Sequence, residues 1–299
     1  MSVIGIDTSN YTTSIACFDG ASAVKPGELG LRQSDAVFSH TKSLPELSGR
    51  LFSHIRGMEI EAVGVSTRPR AVEGSYMPCF LVGYSHAKLL SDAFHVPLVE
   101  VSHQQGHVAA ALWSGGRLDL MDSPHLAWHL SGGTTELLLV EPDGKNVHCT
   151  KIGGTTDISA GQLIDRTGQL LGLPFPSGKH LDELSAQAKN RDVFSVKCDT
   201  CSFSLSGVQN KVQQYYEKNA DPAETAAYAL RCVAGAVYRA SEQALKRFPG
   251  LEIVFSGGVA SNSLLRSVMQ PLFPVFAQPQ FSTDNAMGVA ILAHRLREG

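Results

Sequence analysis

The sequence predicts an α/β fold made of two similar halves, and three observations predict it. Short apolar strands alternate with helical stretches along the 299 residues, the pattern of a sheet covered by helices. Two hairpin signals with hydroxyl-rich turns lie about 125 residues apart, one opening each half, which reads as a duplicated unit. Hydrophobic residues make up 43% and charged residues 18%. That balance supports a packed core and excludes a disordered, collagen-like or coiled-coil chain.

The elements follow in order. Val3-Ile4-Gly5-Ile6 and Ser14-Ile15-Ala16-Cys17-Phe18 are apolar strands around the turn Asp7-Thr8-Ser9-Asn10-Tyr11-Thr12-Thr13. Ile60–Ser66 and Leu98–Val101 read as further strands, while Cys79–Phe94 and His107–Leu112 carry helical spacing. The polar, turn-rich stretch Arg117–Pro124 marks a domain boundary. The expected lobes are residues 1–118 and 119–284, with the final helix over 285–299 a candidate to pack back on the first. The second half opens on the hairpin Leu126–Leu130, Ser131-Gly132-Gly133-Thr134-Thr135, Glu136–Val140. Gln162–Leu171, Ala223–Lys246 and Asn285–Leu296 look helical, and Glu252–Phe255 is a buried strand running into Ser256-Gly257-Gly258.

Composition narrows the function. No apolar run reaches the roughly 18 residues of a spanning helix, and no basic N-terminal region precedes an apolar one. The expectation is a cytoplasmic protein with no membrane partner. A net charge of −3 gives no general nucleic-acid surface and leaves room only for a local basic groove. Six scattered cysteines fit a reduced protein rather than a disulfide framework.

Several segments carry chemistry. The two hairpin turns present backbone N–H groups and hydroxyls without bulk, which suits a phosphate, and Asp7 is placed to hold a divalent cation directly or through water. Either turn alone reads rather as an ordinary polar-tipped hairpin, and it is the pair that points to a phosphate. A third turn, from strand to helix, Gly257-Gly258-Val259-Ala260-Ser261-Asn262, admits a flat group against its glycines and offers Ser or Asn as a helix cap. His103 and His107 stand at i and i+4, so one helix face presents both to one metal ion. Asp284, before the final helix, is a candidate third ligand and equally a helix cap. The single C-x-x-C, Cys198 to Cys201, lacks the further ligands of a zinc site and reads as structural. His125, His129 and His180 have no assigned role.

These pieces fall in the order found in the tRNA threonylcarbamoyladenosine transferase family, which the chain resembles over nearly its whole length. The matches are His103, Gly106 and His107; Ser131-Gly132-Gly133-x-Thr135; Ala160-Gly161-x-x-x-Asp165; Phe175-Pro176-x-Gly178; Phe203-Ser204-x-Ser206-Gly207; Gly257-Gly258-Val259-x-x-Asn262; and Thr283-Asp284-Asn285. The resemblance implies an actin/sugar-kinase/Hsp70-like, duplicated two-lobed fold with a cleft between the lobes. It implies that His103, His107 and Asp284 hold one divalent metal, Fe2+ or Zn2+. Ser131, Gly132, Gly133, Thr135, Asp165, Gly178, Asp182, Gly257, Gly258 and Asn262 would line a site for an adenine nucleotide, ATP or acyl-adenylate, with Mg2+ an optional companion. Asp7 and Ser9, in the first turn, would be catalytic. The implied reaction moves threonylcarbamoyl from its adenylate to the exocyclic amine of the tRNA adenosine beside the anticodon, with the metal as Lewis acid. Small partner proteins would complete a basic groove for tRNA.

The departures carry information too. The family's Cys-Asp-Glu-Thr is Asn10-Tyr11-Thr12-Thr13 here, so two acidic residues are gone. The family's Ser-Gly-Gly-His-Thr has Thr134 in place of histidine, and its Ala-Gly-Pro-Gly is Thr67-Arg68-Pro69-Arg70. Arg68 and Arg70 are either surface loop charges or binders of an anionic group of donor or acceptor. Two alternative functions therefore stand beside the family reaction. One is an O-carbamoyltransferase-like enzyme with a non-tRNA acceptor, which Val108-Ala109-Ala110-Ala111 resembles. The other is a non-catalytic paralogue that binds nucleotide and metal as a partner or regulator. A metalloprotease is disfavoured, because H-x-x-x-H lacks the glutamate of H-E-x-x-H.

Overall fold

The computed structural model describes residues 2–9, 12–20, 23–24, 29–30, 36–281 and 286–297. They form two compact units. Unit 1 is Met1–Ser123, Glu141–Cys149 and Asp284–Gly299, and unit 2 is Pro124–Val140 and Thr150–Thr283.

In unit 1, β1 (Ser2–Thr8) and β2 (Thr12–Phe18) form the antiparallel hairpin that the apolar runs predict, with β3 (Ala23–Val24) and β4 (Leu29–Gly30) on its outer edge. Helix α1 (Ala36–His54) follows, then β5 (Ile60–Arg68), α2 (Phe80–Phe94), β6 (Leu98–Ser102) and α3 (His103–Ser114). β5 pairs parallel with β1, and β6 pairs parallel with β5. The sequence reading assigns no element to α1, which carries Pro45 in its interior. It forms because His40, Leu44, Leu47, Ser48 and Leu51 share one buried face. α3 starts four residues before the predicted helix. Ser102 caps it reciprocally with Gln105: the Ser102 Oγ accepts from the Gln105 N–H at 3.3 Å, and Gln105 Oε1 accepts from the Ser102 N–H at 2.9 Å.

Unit 2 repeats the plan. β7 (His125–Leu130), β8 (Thr135–Asp143) and β9 (Asn146–Thr155) run in sequence, followed by α4 (Ala160–Leu170) and α5 (Gly178–Ser185). β10 (Cys198–Asp199), β11 (Ser202–Phe203), α6 (Ser206–Asn219), α7 (Pro222–Arg247), β12 (Ile253–Ser256), α8 (Ser263–Met269) and β13 (Val275–Phe276) complete it. The sheet of unit 1 runs β3-β2-β1-β5-β6, and that of unit 2 runs β9-β8-β7-β12-β13 with β11 and β10 added beyond β9. Each has an antiparallel hairpin beside two parallel strands, so the duplication read from the two hairpins is present in the topology. The long α7 lies over this sheet, where Trp128 donates its indole N–H to Ser241 Oγ at 2.8 Å.

The final helix, α9 (Ala286–Leu296), belongs to unit 1. It sits against β1, β5 and α3 through positions that have no room for a side chain. A Cβ on Gly5 would lie 2.1 Å from the Ala286 carbonyl oxygen, and one on Gly64 would lie 2.7 Å from the Ala293 Cβ. A Cβ on Gly288 would lie 1.8 Å from the Gly106 carbonyl oxygen. Glycine at these positions lets helix and sheet backbones touch. No helix among the described residues is long and apolar enough to cross a membrane.

Candidate functional site

In both units the expected chemistry lies at the carboxyl ends of the parallel strands, the usual ligand edge of an open α/β sheet. In unit 1 these ends bring together Asp7 from β1, Ser66 from β5 and His103 after β6. Asp7 is wholly buried. Its Oδ1 lies 3.0 Å from His103 Nδ1 and accepts the Ser66 hydroxyl. Burial alone would push the Asp7 carboxyl up, but the charge and hydrogen bond of His103 and the Ser66 hydroxyl outweigh it and hold the group below the ordinary carboxylate range. The Ser9 hydroxyl also helps to hold the carboxyl down, and Asp7 Oδ2 is buried without a hydrogen bond of ordinary geometry among the described residues.

His103 and His107 stand on successive turns of α3, their ring centroids 4.5 Å apart and their planes at 72°. Among the described residues no three His, Cys, Asp or Glu side chains gather as a metal-holding group. Asp284 lies outside the described residues, as do Asn10 and Tyr11 of the altered turn. The donor chemistry nevertheless fits a divalent cation. Two imidazoles are adjacent, the Asp7 carboxylate orients one of them, and an unsatisfied buried oxygen on that carboxylate favours positive charge nearby. Gly106, between the two histidines, is the seat of Gly288 on the first turn of α9.

Ser9 is buried beside the end of β1. Thr13 is buried on β2, its Oγ1 2.7 Å from Nδ1 of His40 on α1. Burial pulls the His40 imidazole down, opposed by the Ser9 backbone and the Asp7 charge. Thr8 accepts the Gly83 N–H at 3.1 Å and donates to the Cys79 carbonyl at 3.0 Å, which fixes the start of α2 on β1. Arg68 and Arg70 are exposed at and just beyond the end of β5, and Arg68 sits in register with Ser102.

In unit 2 a cavity of about 470 Å³ opens at the ends of β7 and β12. Six of the expected nucleotide-site residues line it: Gly132, Asp165, Gly178, Asp182, Gly258 and Asn262. Asp165 Oδ1 accepts the Ser177 N–H at 2.9 Å, which ties α4 to the loop before α5. Asp182 lines the cavity with both oxygens already in use, holding the Ser263 N–H at 2.9 Å and the Ser263 hydroxyl at 2.7 Å. Asn262 caps α8, its Oδ1 accepting from the Leu265 N–H at 2.9 Å. α4 and α5 both begin here, with Gly161 and Gly178 in the wall.

Four expected residues are absent from that wall, and the fold uses three of them internally. Ser131 closes the β7–β8 turn by accepting the Thr134 N–H at 3.1 Å. Gly133 is exposed in the same turn. Thr135 is buried and accepts the Ala160 N–H at 2.8 Å. Gly257, at φ 91°, presses on Leu130, where a Cβ would meet the carbonyl oxygen at 2.2 Å.

The sequence reading missed Asp157, Ser66 and His40. Asp157 gathers α6: it accepts the Leu205 N–H at 2.8 Å and the Ser206 hydroxyl at 2.6 Å, and it also holds the Ser204 hydroxyl. Burial would raise its carboxyl, and these donors hold it far below the ordinary range instead. The motif at 203–207 is therefore a helix-start device, with its acid supplied from 47 to 49 positions earlier. Cys198 and Cys201 are free thiols at the β10–β11 turn, braced by Gln243.

The family model described as TsaD, tRNA N6-adenosine threonylcarbamoyltransferase, matches residues 30–291. A tRNA N6-adenosine threonylcarbamoyltransferase of Carboxydothermus hydrogenoformans is 30% identical over 99% of this chain and 93% of its own length. Among solved structures, full-length HypF in a phosphate- and nucleotide-bound form superposes with a TM-score of 0.64 at 16% identity, over 100% of this chain and 47% of HypF. Component A of the Acidaminococcus fermentans (R)-2-hydroxyglutaryl-CoA dehydratase gives a TM-score of 0.61 at 13% identity, with both chains fully covered. At such identities these two likenesses concern the fold alone.

Proposed function

Because the chain belongs to the tRNA N6-adenosine threonylcarbamoyltransferase family, we propose that it transfers threonylcarbamoyl from threonylcarbamoyl-adenylate to the exocyclic amine of the tRNA adenosine beside the anticodon. The observation that carries this reading is the unit 2 cavity. Residues up to 130 positions apart, Gly132 to Asn262, converge on it as the family resemblance implies for a nucleotide site. Its volume of about 470 Å³ is within the range of small-molecule and cofactor sites. The starts of α4 and α5 bring the positive ends of two helix dipoles to this wall, where they would favour a phosphate.

His103 and His107, with Asp284, would hold the metal, zinc or ferrous iron. When bound, it supplies Lewis-acid polarisation of the donor carbonyl. The chain's own part is positional. Asp7 accepts a hydrogen bond from His103 Nδ1, which fixes the ring and its tautomer and would leave Nε2 free to hold the metal. Ser66 holds Asp7 in turn. Asp165 fixes the loop into α5, and Asp182 fixes α8, so that the glycine-bearing wall would be held in place for a nucleotide. Arg68 and Arg70 add positive charge at the strand ends of unit 1 for an anionic group of donor or acceptor. tRNA engagement through small partner proteins belongs to the same reading, as does a cytoplasmic location. The missing acidic turn is accommodated if positioning and the metal supply the rate.

The test is a reconstituted transfer reaction with purified threonylcarbamoyl-adenylate and unmodified tRNA, with and without the family's partner proteins. Modified adenosine in the wild type, and none with His103→Ala or Asp284→Ala, is the expected result. No product from a wild-type protein that still binds ATP and metal overturns the reading.

A further inference from the structure

Phe175 stands 82% exposed in the loop between α4 and α5, next in sequence to the cavity residue Pro176. Isolated exposed apolar side chains are ordinary on protein surfaces. The loop that carries this one is not. Pro174 and Pro176 flank Phe175, so the backbone on either side is restricted before any contact is made. Ser177 then locks the loop: its N–H goes to Asp165 at 2.9 Å and its hydroxyl to the Pro174 carbonyl at 3.0 Å. The Leu173 N–H returns to the Gly168 carbonyl at 2.8 Å. Gly168 packs so closely on this loop that a Cβ there would lie 2.1 Å from Ser177 Oγ. An aromatic ring is thus held out to solvent at the rim of the cavity by a loop with little freedom left to lose.

We propose that Phe175 is a stacking platform for an unstacked base of the acceptor RNA, outside the nucleotide cavity. This inference rests on the tRNA reading above. A pre-ordered aromatic face is what sequence-tolerant recognition of single-stranded loops uses, because every base offers a π-face. Its place favours the acceptor over the donor. Phe175 is absent from the cavity wall, so a base that covers it belongs to a ligand reaching beyond that cavity. Lys179, which does line the wall, has a side chain 83% exposed and only a loose 3.9 Å pairing with Glu183. It supplies a cation beside the platform for the phosphate that follows a stacked base.

The test uses the full chain, with its partner proteins where RNA binding requires them. The probe is a synthetic RNA hairpin with an adenosine-containing loop in which one loop base is replaced by 2-aminopurine, whose fluorescence is quenched on stacking. Phe175→Ala is expected to weaken hairpin binding by about tenfold and to abolish the quenching, while Phe175→Trp restores both. ATP affinity, measured by calorimetry, is expected to stay the same in both variants. Phe273→Ala is the matched control: Phe273 is 89% exposed in the same unit and is absent from the cavity wall. Unchanged hairpin binding in Phe175→Ala overturns the proposal and leaves the tRNA reading standing. A parallel loss of ATP affinity also overturns it, by assigning the ring to the donor nucleotide. A wild-type protein that binds ATP but no hairpin overturns both readings.

Discussion

Asp7 Oδ1 and His103 Nδ1 meet at 3.0 Å although 96 residues separate them in sequence. The parallel pairing of β1, β5 and β6 makes this contact, because it brings three strand ends to one edge. A buried acid that orients an imidazole raises the basicity of the nitrogen on the far side of the ring. Asp7→Asn is therefore expected to weaken metal binding by about 10–100-fold. Metal content after dialysis against limiting zinc or iron measures it, alongside the transfer rate. A variant that retains full metal content at limiting metal would refute the orienting role.

Asp157→Asn is expected to destabilise unit 2 by about 1–2 kcal/mol, the size of a helix cap with charged hydrogen bonds. Thermal unfolding measures it. The Asp157 carboxyl titrates far below its ordinary value in the folded protein. Its contribution is therefore complete above the unfolded value of about 4 and fades as pH falls through the folded one. The gap between wild type and variant should be constant at neutral pH and narrow in acid. A gap that widens in acid contradicts the assignment.

Gly288→Ala places a Cβ 1.8 Å from the Gly106 carbonyl oxygen, a backbone atom. A loss of about 3 kcal/mol or more in unfolding free energy is expected, together with reduced metal retention. Gly207 in α6 has open space at its Cβ position, so Gly207→Ala should stabilise by about 0.5–1 kcal/mol. Equal effects at the two sites would show that the α9 seat is looser than the contact implies.

Burial pushes the Cys149 thiol up to about 12, and those of Cys198 and Cys232 up to about 11. These groups are protonated at neutral pH, so alkylation by iodoacetamide should be slow until the protein is unfolded. Cys198→Ser with Cys201→Ser should leave transfer unchanged. Rapid labelling of Cys198 in the native state, or inactivation of the double variant, would restore a chemical role for the pair.

Reversing Arg68 and Arg70 to glutamate tests their assignment to an anionic group. Donor or tRNA affinity should fall by about tenfold or more, as expected for loss of charged hydrogen bonds. Equal affinities in direct titrations would leave the two arginines as surface charges.

Features specified by near neighbours were legible in the sequence. The β1–β2 and β7–β8 hairpins and the His103–His107 face follow from apolar periodicity and from i, i+4 spacing. What escaped depends on distant pairing. Asp157 acquires its role from Ser204 and Ser206, and His40 from Thr13 across the α1–β2 contact. α1, to which the sequence reading assigns no element, forms with Pro45 inside it because a buried face outweighs the local cost. Within the expected nucleotide site, position and role diverge. Thr135 and Gly257 match the family pattern, and in this chain they serve neighbouring backbones with a hydroxyl and an empty space.

The seat of α9 also sets an order of events during synthesis. β1 leaves the ribosome long before α9, and all of unit 2 emerges before the helix that fills the grooves at Gly5 and Gly64. Unit 2 therefore has every strand and helix it needs while unit 1 still lacks the cover for Val3 and Ala62, which pack with Ala293 on α9. The nascent chain must carry that open apolar face through the translation of unit 2, the interval in which a holding chaperone has most to protect.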